Sequence, residues 1–456
     1  MKKKMQLFWR GIYLLSLCII LAGCGNNRTT QDSTIQNDST AVEAVTAEEA
    51  TGKEDAEKQV VVEENTEGEI QAYSAEDDKA AADYLREQYG ILTDGNVPKV
   101  ILDTDMAYFG DDAMCMSILV QADEIGLIEL LGVTITGGNH FVAVGTNSTL
   151  TQLERIGRED IPVYMGTDEP INGFRDLQEQ EKIVGSIDRW GAMYNLDRYI
   201  EPDKYHNLGA DYDRHWGYSQ TEPQQQSAVD FMIEQVAKYP GEVTVISVGA
   251  ATNVALACEK DEYFAANTAG IIYMGTIVDG PGTYTPYADF NVFYDAEAFD
   301  ICLKSDFPVQ TIVPHDAAES AVLNKAVFDL MDVKEDTLIT QMWLDEQYSQ
   351  YRRQPTRKMN CTDAIAAVVL LNPAVVQEKE ELYVAINTDV TNAEYGKTLL
   401  WTDAEADSEA ACATFIMEVD TGLFWDFTTD LLCHMQSESA YTYASFVESN
   451  EAVSAQ

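Results

Sequence analysis

Between residues 97 and 314 short apolar runs alternate with longer stretches in which apolar positions recur at helical spacing. VPKVILDTD is an apolar run that ends in carboxylates and predicts a buried strand. DDAMCMSILVQADEIG predicts a helix with acidic residues in its first turn, and IELLGVTITGGN predicts a second strand and its loop. The alternation continues through NSTLTQLERIGR (helix), IPVYMG (strand), SAVDFMIEQVAKYP (helix), GEVTVISVGA (strand) and ATNVALACEKD (helix). AGIIYMGTI (strand), DAEAFDICLKS (helix) and FPVQTIVP (strand) complete it. Strands and helices in this order predict an α/β fold with a mostly parallel, Rossmann-like central sheet and helices on both faces. Ligands bind such sheets beyond the carboxyl ends of the strands, which is where the DTD, GGN, SVGAATN and MGTI segments fall.

The flanks read differently. Lys2, Lys3, Lys4 and Arg10 precede an apolar stretch over residues 11–21, too short to span a bilayer well. Leu21-Ala22-Gly23-Cys24 resembles a bacterial lipobox, so residues 1–23 read as a lipoprotein signal peptide and Cys24 as the lipidated residue. The expected location is extracytoplasmic, on the membrane through that anchor. Residues 25–71 hold no aromatic residue and carry twelve acidic against three basic side chains. They cannot bury enough apolar area to offset their ordering entropy, so 24–73 is expected to be an acidic tether. Ser74 is positioned to cap a helix whose buried side carries Ala81, Tyr84, Leu85 and Tyr89, with Gly90 ending it. The folded domain is placed at 74–435, with a tail over 436–456.

A formal charge of −48 excludes polyanions as natural partners, so nucleic acid is not expected, and it favours cations. Beyond Cys18 and Cys24 the cysteines are Cys115, Cys258, Cys302, Cys361, Cys412 and Cys433. They are widely spread and show no CxxC, which argues against a zinc site or a dense disulfide framework and leaves a single incidental disulfide open.

Asp103, Asp105, Asp111 and Asp112 come from one strand-loop-helix junction. Carboxylates this close raise one another's pKa unless a cation joins them, and hard oxygen donors suit Ca²⁺ or Mg²⁺. Two other readings stand beside that one: Asp111 and Asp112 serving the helix dipole without a metal, and Asp103 as a phosphatase nucleophile. The second lacks a fitting lysine and DD segment downstream.

From about Lys99 to about Leu432 the chain resembles the inosine–uridine-preferring nucleoside hydrolase family. VILDTDMAYFGDDA matches the family's aspartate cluster, GVTITGGN its asparagine loop, and ISVGAATNVALA its GPLTN-type turn. LERIGREDIPVYMG, YADFNVFYDAEAF, CTDAIAA, YGKTLLWTD and GLFWDFTTDLL are similar to later family segments, in the same order. The resemblance implies a nucleoside hydrolase fold and Ca²⁺ held by Asp105, Asp112, Asp363 and the Val248 carbonyl. It implies that Asp105 is the base, and that Asp111, Asn139, Asp289 and Asn291 hold the ribose of a nucleoside or related ribosyl substrate. It leaves a homo-oligomer open.

The chain departs from the pattern at three places. Met106-Ala107-Tyr108-Phe109-Gly110 lengthens the spacer within the aspartate cluster, and Tyr108 and Phe109 are open to either base stacking or plain packing. Asp289 stands where the family has glutamate. Thr362 stands where many members have a histidine that protonates a purine leaving group, which a hydroxyl cannot do near neutral pH. His215 is the candidate leaving-group contact, His140 a second pocket candidate, and His315 is expected to be structural. Two functions follow: calcium-dependent hydrolysis of ribonucleosides to ribose and free base, or a catalytically weak ribose- or nucleoside-binding lipoprotein.

Overall fold

The structure is a computed structural model that describes residues 73–91, 96–209, 217–334, 337–402 and 410–447, all within one compact unit. The leader, Cys24 and the tether up to residue 72 lie outside the described residues, as does His215.

Strand β1 (Lys99–Thr104) is the apolar run read first in the sequence. Val100 and Leu102 pack into one hydrophobic core with Met114, Ile118 and Trp425, while Ile101 points into a second with Phe231, Val245 and Phe299. A strand buried on both faces needs apolar residues at every position, because successive side chains alternate between layers. β2 (Glu129–Ile135), β3 (Val163–Met165), β4 (Val243–Ser247), β5 (Gly270–Met274) and β6 (Gln310–Val313) all run parallel to it. β7 (Val322–Leu323) and β8 (Met359–Asn360) form a separate small ribbon.

The main sheet has nine strands among the described residues, in the order β10-β9-β11-β6-β5-β4-β1-β2-β3. The expected mostly parallel α/β sheet is therefore present, extended on one side by β9 (Val376–Ile386), β10 (Thr398–Trp401) and β11 (Ala411–Val419). β11 joins β6 in parallel, whereas β9 pairs antiparallel with both of its neighbours. β10 lies within YGKTLLWTD, one of the segments that resemble the family, whereas β9 and β11 are not evident from the sequence. The first half of β9, QEKEE, is exposed and charged, so its alternation is hidden until Leu382, Val384 and Ile386 turn inward.

The helix expected from Asn147 begins at Val142 instead. Its first N–H is capped by the Asp168 carboxylate at 2.5 Å, a partner supplied by a distant loop and invisible to local pattern. The N-terminal helix Ala75–Tyr89 is as expected: Ser74 and Asp77 form a capping box and Gly90 closes it in a left-handed conformation. At the other end the boundary at 435 is too early. Tyr443 is buried, accepts a hydrogen bond from Asn324 (2.7 Å) and receives Phe446 and Val447 as core neighbours, so the fold runs through at least residue 447. The six cysteines of the described residues form no disulfide.

Candidate active site

At the carboxyl end of β1 the chain carries Asp103, inside the strand, and Asp105, just beyond it. Asp103 is fully buried and accepts hydrogen bonds from Thr134 (2.7 Å) and Asn253 (2.9 Å). Burial raises its pKa to about 6. It ties β1 to β2 and to the turn after β4, and that buried tying role sets aside the reading of Asp103 as a phosphatase nucleophile.

Asp105 faces the loops beyond the strand ends. Its carboxylate accepts the Asn139 backbone N–H at 2.6 Å and the Asn139 amide at 3.3 Å. The same amide donates to Asp112 at 3.0 Å, so Asn139 bridges the two carboxylates. Asp112 also accepts from the Thr104 hydroxyl (2.5 Å) and the Ala107 N–H (3.4 Å). Two glycines make room for this: a Cβ on Gly138 would lie 2.0 Å from Asp105 Oδ2, and one on Gly249 would lie 2.9 Å from the Asp105 nitrogen.

Asp363 enters at the start of helix Thr362–Leu371, which packs against helix Asp111–Glu124. It brings a third carboxylate to Asp111 and Asp112, and one oxygen from each of the three lies within 4.8 Å of the others. Asp363 is also coupled electrostatically to Asp105 and Asp289. Burial, then the neighbouring carboxylates, push Asp105 and Asp363 well above the usual carboxylate range. Half-buried Asp111 is pushed up to about 7 by desolvation and the Asp112 charge. A buried set of hard oxygen donors that resist ionising together fits a divalent cation. Asp111 stands in this trio, where the family resemblance implies Asp105, which adjoins the trio through Asn139 and Asp112.

The opposite edge of the site comes from DFN. Asp289 is the N-cap of the short helix Phe290–Tyr294, accepting from the Asn291 N–H (3.0 Å) and the Thr283 hydroxyl (3.1 Å). Its charge adds, as a minor cause, to the raised pKa of Asp111 and Asp363. The Asn291 amide donates to the Val248 carbonyl at 2.8 Å and to the Met274 carbonyl at 3.3 Å. It thereby clamps the ends of β4 and β5, and the Val248 carbonyl is engaged by a protein donor. Ala251 (φ 53°) and Thr276 (φ 80°) follow those two strands in the left-handed region, strain of the kind found at functional sites.

His315, expected to be structural, follows β6 and its charge pulls the Asp289 pKa down against the effect of burial. His140 lines a 330 Å³ cavity with Asn139 and Trp190, and burial lowers its pKa. Phe109 packs edge-on against Trp343 at 5.2 Å, so of the spacer aromatics it belongs to the core, whereas Tyr108 is half-buried near His140 (ring centroids 6.1 Å). Thr362 is buried at the start of its helix.

A family model for inosine-uridine preferring nucleoside hydrolases matches residues 100–426. A pyrimidine-specific ribonucleoside hydrolase, RihA, from Shewanella sp. (strain ANA-3) is 25% identical over 336 residues, covering 73% of this chain and 95% of that protein. A probable uridine nucleosidase 2 from Oryza sativa subsp. japonica is 27% identical over 236 residues, 52% of this chain. That alignment spans 62% of the rice protein's length. Among solved structures, a plant nucleoside hydrolase superposes with a TM-score of 0.58 at 24% identity, covering 74% of this chain and 99% of its own. An inosine-guanosine nucleoside hydrolase gives 0.58 at 20% identity, over 73% and 98%. These structural likenesses establish a shared fold.

Proposed function

We infer, from the premise that this chain belongs to the inosine–uridine-preferring nucleoside hydrolase family, that it hydrolyses the N-glycosidic bond of ribonucleosides or related N-ribosyl compounds. The products are ribose and the free base. The observation that carries this reading is the convergence of Asp363 on Asp111 and Asp112, within 4.8 Å, from a segment some two hundred and fifty residues away.

The reaction passes through an oxocarbenium-like state with positive charge on the ribose. A concave set of carboxylates stabilises that charge more in the transition state than in the ground state. Asp105 is the candidate base, since Asn139 fixes its orientation from backbone and side chain together. Asp111, Asp112 and Asp363 would hold a divalent cation, for which we propose Ca²⁺, and when bound it neutralises their mutual repulsion and offers a Lewis acid to the sugar hydroxyls. Asp289 and Asn291 shape the far wall. Cys24 and the leader support an extracytoplasmic, membrane-anchored setting for this activity.

The binding-protein alternative draws on Thr362 and on Asp289, whose carboxylate is engaged in capping. A reducing-sugar assay with a nucleoside panel separates the two. The expected result is ribose release that falls by about 10²–10⁴-fold in Asp105→Asn. Tight ribose binding without release from any nucleoside would establish the binding protein instead.

A further inference from the structure

The 330 Å³ cavity beside Asn139 has walls that the reaction above does not use. It adjoins the carboxylate cluster, since Asn139 and Ala107 line it and both donate to Asp112. Its outer wall is the segment 189–198, held over the site from two sides. The Ala192 N–H donates to the Gly138 carbonyl at 2.8 Å, and Trp190 stacks on Phe290 at 4.0 Å with the rings 28° apart. The Tyr284 hydroxyl fixes the Trp190 carbonyl at 2.9 Å. Trp190 remains 40% exposed, unusual for an indole so firmly held. A flat aromatic wall next to the ribose-binding carboxylates is where a planar base would lie.

Two guanidinium groups, Arg189 and Arg198, line the same cavity. The chain has 29 basic side chains against 77 acidic ones, so two cations in one small cavity stand out from the field around them. Arg198 has no ion-pair partner among the described residues, and Arg189 reaches only Glu181, at 3.7 Å and largely in solvent. Among the described residues, then, Arg198 makes no ion pair and Arg189 only this solvent-exposed one. A negative group close to the carboxylate cluster would be repelled, so the anion these arginines match must sit at the end of the base remote from the sugar.

We propose that this cavity takes the aglycone, and that Arg189 and Arg198 select N-ribosides whose base carries a carboxylate on the edge remote from the glycosidic bond. The inference rests on the hydrolytic reading above and names its substrate class. It also eases departure of the base: the C1′–N bond breaks with its electron pair going to the base nitrogen, water supplies the hydroxyl to C1′, and its proton passes to Asp105. The guanidinium groups face the negative charge gathering on the leaving base, which then takes a proton from solvent.

The test compares 5-carboxyuridine with 5-carbamoyluridine, near-isosteric probes that differ in charge, on the full protein and on Arg189→Gln/Arg198→Gln. The expected kcat/KM ratio favours the carboxylate by roughly fivefold at low salt, as two part-exposed ion pairs allow. It shrinks with added NaCl and falls to one or below in the double variant, with partial recovery in Arg198→Lys. A wild-type ratio of one or less, or a preference that persists in the double variant, overturns the inference while leaving the hydrolase reading intact. If neither probe nor uridine is hydrolysed, the hydrolase reading fails. Calorimetric binding of the same two probes then decides the cavity's preference by the same criterion.

Discussion

Asp105 is held in a space that only glycine neighbours leave open. A methyl group at Gly138 would fall 2.0 Å from its Oδ2, so the carboxylate has to move out of the position set by Asn139. Gly138→Ala is therefore expected to lower kcat by about 10²-fold, because misplacement of a catalytic group by about 1 Å costs that much. The far-ultraviolet circular dichroism should stay that of the parent, and steady-state ribose release reads the effect; unchanged kcat would show that the carboxylate need not be where the structure puts it. Asn291 acts differently. Its amide satisfies two strand-end carbonyls, Val248 and Met274, and Asn291→Ala is expected to cost about 1–3 kcal/mol of stability through the acceptors it leaves unpaired. Denaturant titration measures this, and a loss of activity without any loss of stability would instead make Asn291 a ligand-binding residue.

Among the elements, the N-terminal helix is the one that the family match, beginning at residue 100, does not cover. It is fastened by a buried polar cluster on helix Thr421–Leu432. Tyr84 and Tyr89 donate to one oxygen of Asp430 at 3.0 and 2.6 Å, and Lys334, with only 1% of its side chain exposed, pairs with the other at 2.5 Å. Asp430→Ala would strand a buried ammonium group and two phenols. The expected loss is about 3–5 kcal/mol, seen as a lower denaturation midpoint and faster amide exchange in residues 75–89. Replacing the tyrosines with phenylalanine should cost less, since the ion pair survives. An Asp430→Ala protein as stable as the parent would mean that apolar packing of Ala81, Ala82 and Leu85 alone seats the helix.

For the whole molecule the decisive quantity is charge confined at one end of the sheet. The carboxyl group of Asp111 titrates at about 7 in the folded chain against an ordinary value of 3.8. The folded state thus holds its proton where the unfolded chain has lost it. In the cation-free protein this contribution stabilises below the ordinary value and is lost as pH rises from there through about 7, and the upward shifts of Asp105 and Asp363 act in the same direction. A bound cation reverses the balance by favouring the ionised forms. The gap in Tm between calcium-loaded and chelator-treated protein should therefore widen with rising pH across that window. A gap that is zero, or that narrows, would argue against a cation among these carboxylates.

Much of this was legible in the linear chain. The parallel sheet follows from apolar runs alternating with amphipathic ones, since a strand covered on both faces must be apolar throughout, as Val100, Ile101 and Leu102 are. The aspartates at the end of β1 follow from the same logic, because a carboxylate closing such a run has to lie at the sheet's edge. Local pattern could not supply contacts made across the chain: the Asp168 cap that starts a helix early, the half-charged β9, or the docking of Tyr443. Nor could it divide the labour among the acids. Asp103 and Asp105 are two residues apart, yet one is tied between strands by Thr134 and Asn253 while the other faces Asn139. Residue type determined that carboxylates would gather beyond the strands; tertiary structure decided which of them come together, because only packing fixes distances between atoms far apart in sequence.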